Sequence, residues 1–471
     1  MLTRLVVRGF KNLLDVSVDF GPYTCIAGAN AVGKSNLFDA IEFLALLAEH
    51  PFLDAAQRLR PSGERGIDPK TLFSLDGTGE PVRSMYLEAE MLVGPSVTDE
   101  FGQSAEPKSS FLRYTIEFEY VSSERGASGR SGGFALIREA LVPISKGDAH
   151  AHLRWPHSAK SFRQSAVFNT RFAGAFISTD NQDGIPTLLV HADGGSRGKP
   201  RRAPVAGASR STISSIFSAD EPTMLAAKQE MRSWRKLALE PSAMRAPDDA
   251  YASSLSVGVD GAHMASVLWR LTQSDPDAES FVSANVSELA DVRDVRVVED
   301  TRRDVLVLEA RLASGPFLPA RSLSEGTLRF LALAVIEADP SFGGLICMEE
   351  PENGIHPAKI PAMVDLLKRL AVDPQESPGV ENPLRQVIVN THSPEFVRAQ
   401  DANDLLLAMP VSYDIDGAEE LGVSFFAMAG SWRGRAGVPT ATPYSVASYL
   451  TDPRRSAVWQ AIQLPLEDLD A

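Results

Sequence analysis

In Leu345-Ile346-Cys347-Met348-Glu349-Glu350-Pro351-Glu352-Asn353-Gly354-Ile355-His356-Pro357, four apolar residues run without alternation into two acids. Such a run fits a central parallel strand covered on both faces. Carboxylates at its end are costly to bury alone, so they call for a cation, a partner or water. The C-terminal edge of a parallel sheet is where open α/β folds bind ligands. The pattern is that of a metal–phosphate site and predicts a phosphate cradle elsewhere in the chain.

The cradle lies more than 300 residues upstream. Tyr23–Ala27 reads as a short buried strand and feeds Gly28-Ala29-Asn30-Ala31-Val32-Gly33-Lys34-Ser35. A helix follows, with Leu37, Ile41, Leu44 and Ala48 at helical spacing and Pro51 as its stop. This is the phosphate loop GxxxxGK[ST] in the strand–loop–helix context it requires. Its glycines let backbone N–H groups turn onto phosphate oxygens, and the helix N-terminus adds its positive end. Chance alone gives such a match on the order of one per cent of the time in a chain this long. Asn30, Gly33, Lys34, Ser35 and Asn36 are the nucleotide-binding candidates, with Lys34 on the β- and γ-phosphates and the Ser35 hydroxyl on Mg²⁺.

Two further motifs complete the set. Leu323-Ser324-Glu325-Gly326-Thr327 opens an apolar helix over 328–336. Ser324 and Gly326 there offer a second phosphate-binding surface, although by itself this is as well read as a helix N-cap. Gln386–Pro394 gives another buried strand, ending in His392. A lone histidine there is most often a satisfied polar residue. Here three strand ends, Ala27-Gly28, Glu349-Glu350 and Thr391-His392, are expected on one sheet edge. Successive strand residues face opposite ways, so Glu349 can serve Mg²⁺ and Glu350 the attacking water, with His392 reaching the γ-phosphate.

The rest of the chain is ordinary for a globular protein. Its 471 residues allow two or three domains. Hydrophobic content is 44% and charged content 23%. No apolar run nears the roughly 20 residues that span a bilayer, and Met1–Arg8 lacks a signal-peptide h-region, so a cytoplasmic protein with no membrane partner is expected. Cys25 and Cys347 both sit in apolar runs and read as buried small hydrophobes, not a disulfide. A net charge of −15 opposes nonspecific nucleic-acid binding by the whole surface. One local exception is Arg197, Lys199, Arg201 and Arg202, with Arg210 beyond, in a Gly- and Ser-rich stretch. It is a DNA-contact candidate, outweighed about two to one by the reading of a solvated loop.

Residues 1–20 read as a hairpin with Asn12 in its turn, closed by Gly21-Pro22. In the long middle, 57–79 reads as loop. Strands are expected at 85–92, 111–120, 134–142, 295–298 and 305–313, while 154–210 reads as irregular with one apolar run at 187–190. Helices are expected at 222–239, 262–272 and 278–289. Beyond the acidic pair, a helix is expected over 359–370, apolar runs over 405–408 and 423–427, and a short helix at 443–450. There are no sustained heptads and hence no coiled-coil arm.

The order of phosphate loop, LSxGx signature, acidic strand and strand-end histidine resembles the ABC-type ATPases. The Arg8-Gly9-Phe10-Lys11-Asn12 turn and the long insertion resemble the RecF/SMC/OLD branch. Leu323–Arg329, the Glu349–Pro357 run and Asn390–Pro394 are similar to stand-alone bacterial ATPases, many from phage-defence and overcoming-lysogenization-defect (OLD) systems. The segments 239–247 and 258–265 are similar to that group too. The resemblance implies an α/β P-loop head with a mixed sheet, split by an α+β insertion: lobe I at 1–51, insertion at 52–320, lobe II at 321–430 and an extension at 431–471. It implies a head-to-head dimer, or higher homo-oligomer, sandwiching two ATP molecules with Mg²⁺. Ser324 and Gly326 would then act in trans. It also implies an effector partner, such as a nuclease or toxin, in anti-phage defence or DNA repair. The metal acid is Glu349 where transporters and SMC proteins have Asp. Gln164 and Gln182 are the candidates for the lobe-bridging glutamine. No Toprim nuclease is expected after residue 400, so a nuclease would be a separate chain. The insertion of about 270 residues argues against a transporter ATPase. A nucleotide-gated scaffold that holds an effector with slow hydrolysis is the alternative.

Overall fold

The computed structural model describes residues 1–59, 68–81, 84–122, 133–169, 174–181, 186–193, 199–251, 256–312, 315–415, 418–442 and 462–463. Among the described residues, three sheets of four strands or more carry the fold.

The hairpin forms as its alternation predicts, with β1 (Leu2–Phe10) antiparallel to β2 (Leu13–Asp19). After β3 (Tyr23–Ala27) come α1 (Lys34–Leu47) and α2 (Phe52–Leu59). Five further strands then join the hairpin: β4 (Met85–Leu92), β5 (Phe111–Val121), β6 (Gly133–Pro143), β7 (Ile177–Asp180) and β8 (Thr187–Val190). With β9 (Arg201–Pro204) at the edge they make an antiparallel sheet in the order β9-β8-β7-β6-β5-β4-β1-β2. The first part of the long insertion thus completes the sheet that the hairpin begins.

The second sheet holds the motifs. Helix α3 (Pro222–Arg232) leads to β10 (Arg235–Leu237). Helices α4 (Met264–Ser274) and α5 (Ala278–Leu289) precede β11 (Val292–Asp300) and β12 (Val305–Leu312), which form a separate four-stranded sheet with the short strands Asp248–Asp249 and Phe317–Pro319 on β12. Helix α6 (Glu325–Ala338), β13 (Gly344–Glu349), α7 (Ile360–Leu370), β14 (Arg385–Thr391) and the hairpin β15 (Leu405–Ile415) and β16 (Ala418–Ala427) follow, with the four-residue α8 (Trp432–Arg435) after them. The sheet order is β10-β13-β14-β3-β15-β16, with 462–463 on β15. All these neighbours are parallel except β15 and β16.

Both faces of this sheet are covered. On β13, Leu345 and Cys347 belong to the core under α1, while Ile346 and Met348 belong to the core under α4–α7. Helix α1 lies between the two large sheets, and its Phe43 ring stacks near Phe10 at 6.0 Å and packs beside Phe118 and Phe134. Truncating such a ring to alanine costs about 3–5 kcal/mol. Cys25 and Cys347 are free and buried.

Three expectations change. The helix expected over 222–239 ends at Arg232, because Arg235–Leu237 is captured as a parallel edge strand of β13. The loop expected over 57–79 contains the end of α2, whose Phe52, Ala55, Ala56 and Leu59 are buried, and a 3₁₀ turn at Pro69–Leu72. Gln164 lies in a short helix, Gln164–Ala166, which does not border the phosphate loop. Gln182, Arg197 and the helix expected at 443–450 lie outside the described residues.

Candidate functional site

The C-terminal ends of β13, β14 and β3 meet in register, Glu349 opposite Asn390 and Thr391 opposite Ala27. A cavity of ≈ 660 Å³ opens there, bordered by Asn30, Gly33, Lys34, Ser35, Asn36, Glu349, Glu350 and Asn390. That volume suits a nucleotide-sized ligand.

The phosphate loop is held from below by Asn12. Its Nδ2 donates to the Val32 carbonyl at 2.9 Å, and its Oδ1 accepts from Asn36 Nδ2 at 2.8 Å. Gly33 has φ 117°, and a Cβ there would fall 2.4 Å from the Asn12 amide. Glycine is therefore required by backbone and space together. Lys34 folds back and donates to the carbonyls of Gly28 at 2.7 Å and Ala29 at 2.8 Å. Burial pulls its ammonium down to about 8, against the opposing pull of Glu350, Glu349 and Glu352.

Glu349 and Glu350 do not divide between the two faces of the strand. Glu350 takes a left-handed backbone, φ 47°, and both acids border the cavity. A non-glycine residue there costs about 1–2 kcal/mol and is held only by its surroundings. The Glu350 N–H donates to the Asn390 carbonyl at 2.9 Å. Its carboxylate sits between Asn353 Nδ2 at 2.8 Å and His392 Nδ1 at 2.5 Å. Burial pushes the Glu349 carboxyl up, but the Ser35 hydroxyl and the Lys236 ammonium outweigh it and leave it below its ordinary value. One hydroxyl and one carboxylate in mutual contact are the donor set of a Mg²⁺ completed by phosphate and water oxygens. Glu352 is buried, takes a hydrogen bond from Thr391 Oγ1, and is pushed up by its burial.

Ser324 caps α6, accepting from Thr327 N at 3.3 Å. It is exposed and does not border the cavity, whereas Arg329 one turn later does. Gly326 packs against the turn after β13; a Cβ there would lie 3.1 Å from the Gly354 carbonyl. Sequence reading missed Lys236 and Arg329 as cavity neighbours and Asn12 as the support of the phosphate loop. Only Asn12 carried a signal, as the polar residue of a turn in the RecF-like hairpin.

A family model described as "AAA domain, putative AbiEii toxin, Type IV TA system" matches residues 23–186 and 206–398. The chain belongs to this family. The AAA domain so matched spans the phosphate loop, the signature, the acidic strand and His392. DNA replication and repair protein RecF of Synechocystis sp. is 46% identical over 50 residues, 10% of this chain and 13% of that protein. RecF of Lactobacillus acidophilus is 50% identical over 50 residues, with the same coverage. The chain thus spans about an eighth of the length of these curated relatives. Solved structures similar to it include an SMC head bound to the C-winged helix domain of ScpA, at 14% identity and TM-score 0.43, covering 91% of this chain and 98% of that one. The SMC head domain from Thermotoga maritima has 14% identity and TM-score 0.36, with the same coverage. The phosphate loop and the acidic strand of the cavity thus both lie within the matched AAA domain. Among the described residues no helix is long and apolar enough to cross a membrane.

Proposed function

We propose that the chain binds ATP with Mg²⁺ in the cavity at the ends of β3, β13 and β14 and hydrolyses it between two head-to-head copies, driving or gating an effector protein. The observation that carries this reading is the meeting of Lys34, Ser35, Glu349 and Glu350 around one cavity, with His392 on the Glu350 carboxylate. Lys34 exchanges its loop carbonyls for phosphate oxygens. Ser35 and Glu349 hold the metal ion, whose charge offsets that developing on the phosphates. Glu350 takes the proton of the attacking water, and His392 orients Glu350 and contacts the γ-phosphate. Ser324 and Gly326, outside the cavity of their own chain, serve the second copy.

The effector fits a nuclease or toxin in anti-phage defence or DNA repair, supported by the family description and by the 50-residue match to RecF. DNA contact through β9 is a subsidiary part of the proposal, as is a cytoplasmic location. A second reading, a slow nucleotide-gated scaffold, is favoured by one observation: the Glu350 carboxylate is already engaged by both His392 and Asn353. Steady-state ATP hydrolysis, with light scattering in ATP, tests the proposal. A monomer without turnover under Mg²⁺-ATP overturns it, and an ATP-dependent dimer with negligible turnover selects the scaffold.

A further inference from the structure

Lys236 lies on β10, the short edge strand of the parallel sheet, opposite Cys347 of β13. Of its two neighbours, Arg235 stacks over Phe342 at 4.8 Å and Leu237 is an apolar, buried part of the cavity wall. Lys236 alone of the three presents an ammonium to Glu349, with Nζ 3.4 Å from Oε1. Both side chains are partly open, at 24% and 35% exposure, and both border the cavity. Each lysine therefore rests on an acceptor, Lys34 on loop carbonyls and Lys236 on the candidate metal acid.

A carboxylate oxygen that ligates Mg²⁺ sits about 2.0–2.1 Å from it. An ammonium cannot share that carboxylate closely with a dication, because like charges at such range repel strongly. Lysine is a point charge on a flexible four-carbon stem, so it can leave without moving its strand. The nearest new anions in the same cavity are the phosphates.

We infer that Lys236 is an exchangeable counter-ion of Glu349. Its ammonium holds the carboxylate while the cavity is empty, competes there with a divalent cation, and turns onto phosphate oxygens when nucleotide and cation enter together. The inference rests on the reading of Glu349 as the metal acid. It makes cation binding weak without nucleotide, and so ties the two ligands together.

The test is Mn²⁺ binding to the nucleotide-free full chain, read by electron paramagnetic resonance, for wild type, Lys236→Met, Lys236→Arg and Glu349→Gln. Methionine keeps the apolar stem on an edge strand, and thermal unfolding checks that the fold survives. Lys236→Met should bind Mn²⁺ about two- to fivefold more tightly than wild type, the range an exposed ion pair supports. Lys236→Arg, which keeps the charge, should match wild type, and Glu349→Gln should lose the site. With a non-hydrolysable ATP analogue, Lys236→Met should bind nucleotide several-fold more weakly. If Glu349→Gln loses Mn²⁺ but Lys236→Met binds it as wild type does, the inference falls and the metal-acid reading stands. If Glu349→Gln leaves Mn²⁺ binding unchanged, both fall.

Discussion

The imidazole Nδ1 of His392 lies 2.5 Å from Oε1 of Glu350, so the residues that follow β14 and β13 are tied together beside the cavity that Glu350 borders. With Asn353 on the other oxygen, the contact holds the Glu350 carboxylate at a residue of left-handed backbone.

Glu350→Gln should bind ATP with near wild-type affinity and lose turnover by about 10²–10⁴-fold, the usual worth of a positioned base. The amide keeps the shape and its contact with Asn353 while removing the proton acceptor. His392→Ala should lower kcat with little change in nucleotide affinity, because the carboxylate remains but is no longer oriented. Equal turnover in Glu350→Gln and wild type would remove the base from Glu350.

Asn12 makes a separate prediction, since it touches the phosphate loop and no acid. Asn12→Ala removes the hydrogen bonds to Val32 and Asn36. Each such bond is worth about 1 kcal/mol net, so nucleotide affinity should fall by about ten- to thirtyfold in a titration with a fluorescent ATP analogue. Gly33→Ala should abolish binding, because its Cβ would meet the Asn12 amide at 2.4 Å on a backbone with φ 117°. A Gly33→Ala protein that binds normally would show that the loop rearranges before it closes on phosphate.

Much of this site is legible in the sequence because its parts are local. The phosphate loop, the acidic run and Asn390–His392 each announce a strand end, and uninterrupted apolar runs state that both faces are covered. What was hidden is what other segments impose. Arg-Lys-Leu at 235–237 has no strand pattern of its own and becomes one by pairing with β13. That is why Lys236 escaped notice inside an expected helix. Helix α2 spaces Phe52, Ala55, Ala56 and Leu59 at helical intervals, but over eight residues behind a proline that reads as a stop. The pairing of β4 with β1 joins residues more than 75 apart and leaves no local trace.

Mixed subunits test the action of the signature in trans. Ser324→Arg blocks the surface offered to a partner, and Lys34→Ala empties a subunit's own cavity. A mixed dimer keeps one site with both parts intact. With random pairing of equal amounts, about a quarter of wild-type turnover should return in an arrangement of twofold symmetry. No recovery in the mixture, with a monomer by light scattering in ATP, would confine catalysis to one chain.

A pH test probes the antiparallel sheet. Glu90 is fully buried; burial pushes its carboxyl up, but His152 at 2.8 Å and Arg113 at 2.7 Å outweigh this and hold it below its ordinary value. A carboxyl lowered by folding adds stability that is present above its unfolded value, about 4.3, and is lost as pH falls through the folded value. Glu90→Gln should therefore cost about 1–3 kcal/mol at pH 7, since it weakens charge-assisted hydrogen bonds while the partly exposed Arg113 keeps Glu88. The gap from wild type in denaturant unfolding should narrow once pH drops below about 4. A gap that stays constant down to about pH 3 would show that Glu90 is not ionised in the fold.

Strand β9 is the last element to test. It is the exposed edge of the antiparallel sheet and carries Arg201 and Arg202, with Lys199 just before it. Arg201 already reaches Glu221, with Nη2 2.5 Å from Oε1, so part of the local positive charge is spent within the chain. Lys199 and Arg202 are then the main candidates for phosphate contact, against a net charge of −15 that repels DNA elsewhere. Changing Lys199, Arg201 and Arg202 together to Glu should weaken binding to duplex DNA and flatten its salt dependence. The log–log slope should fall by about 0.9 for each phosphate that is no longer neutralised. Arg201→Glu alone should do little to DNA and should instead lower stability slightly, because it sets two carboxylates face to face. An unchanged slope in the triple variant would assign β9 to solvent or to a protein partner, and would leave the ATPase reading as it stands.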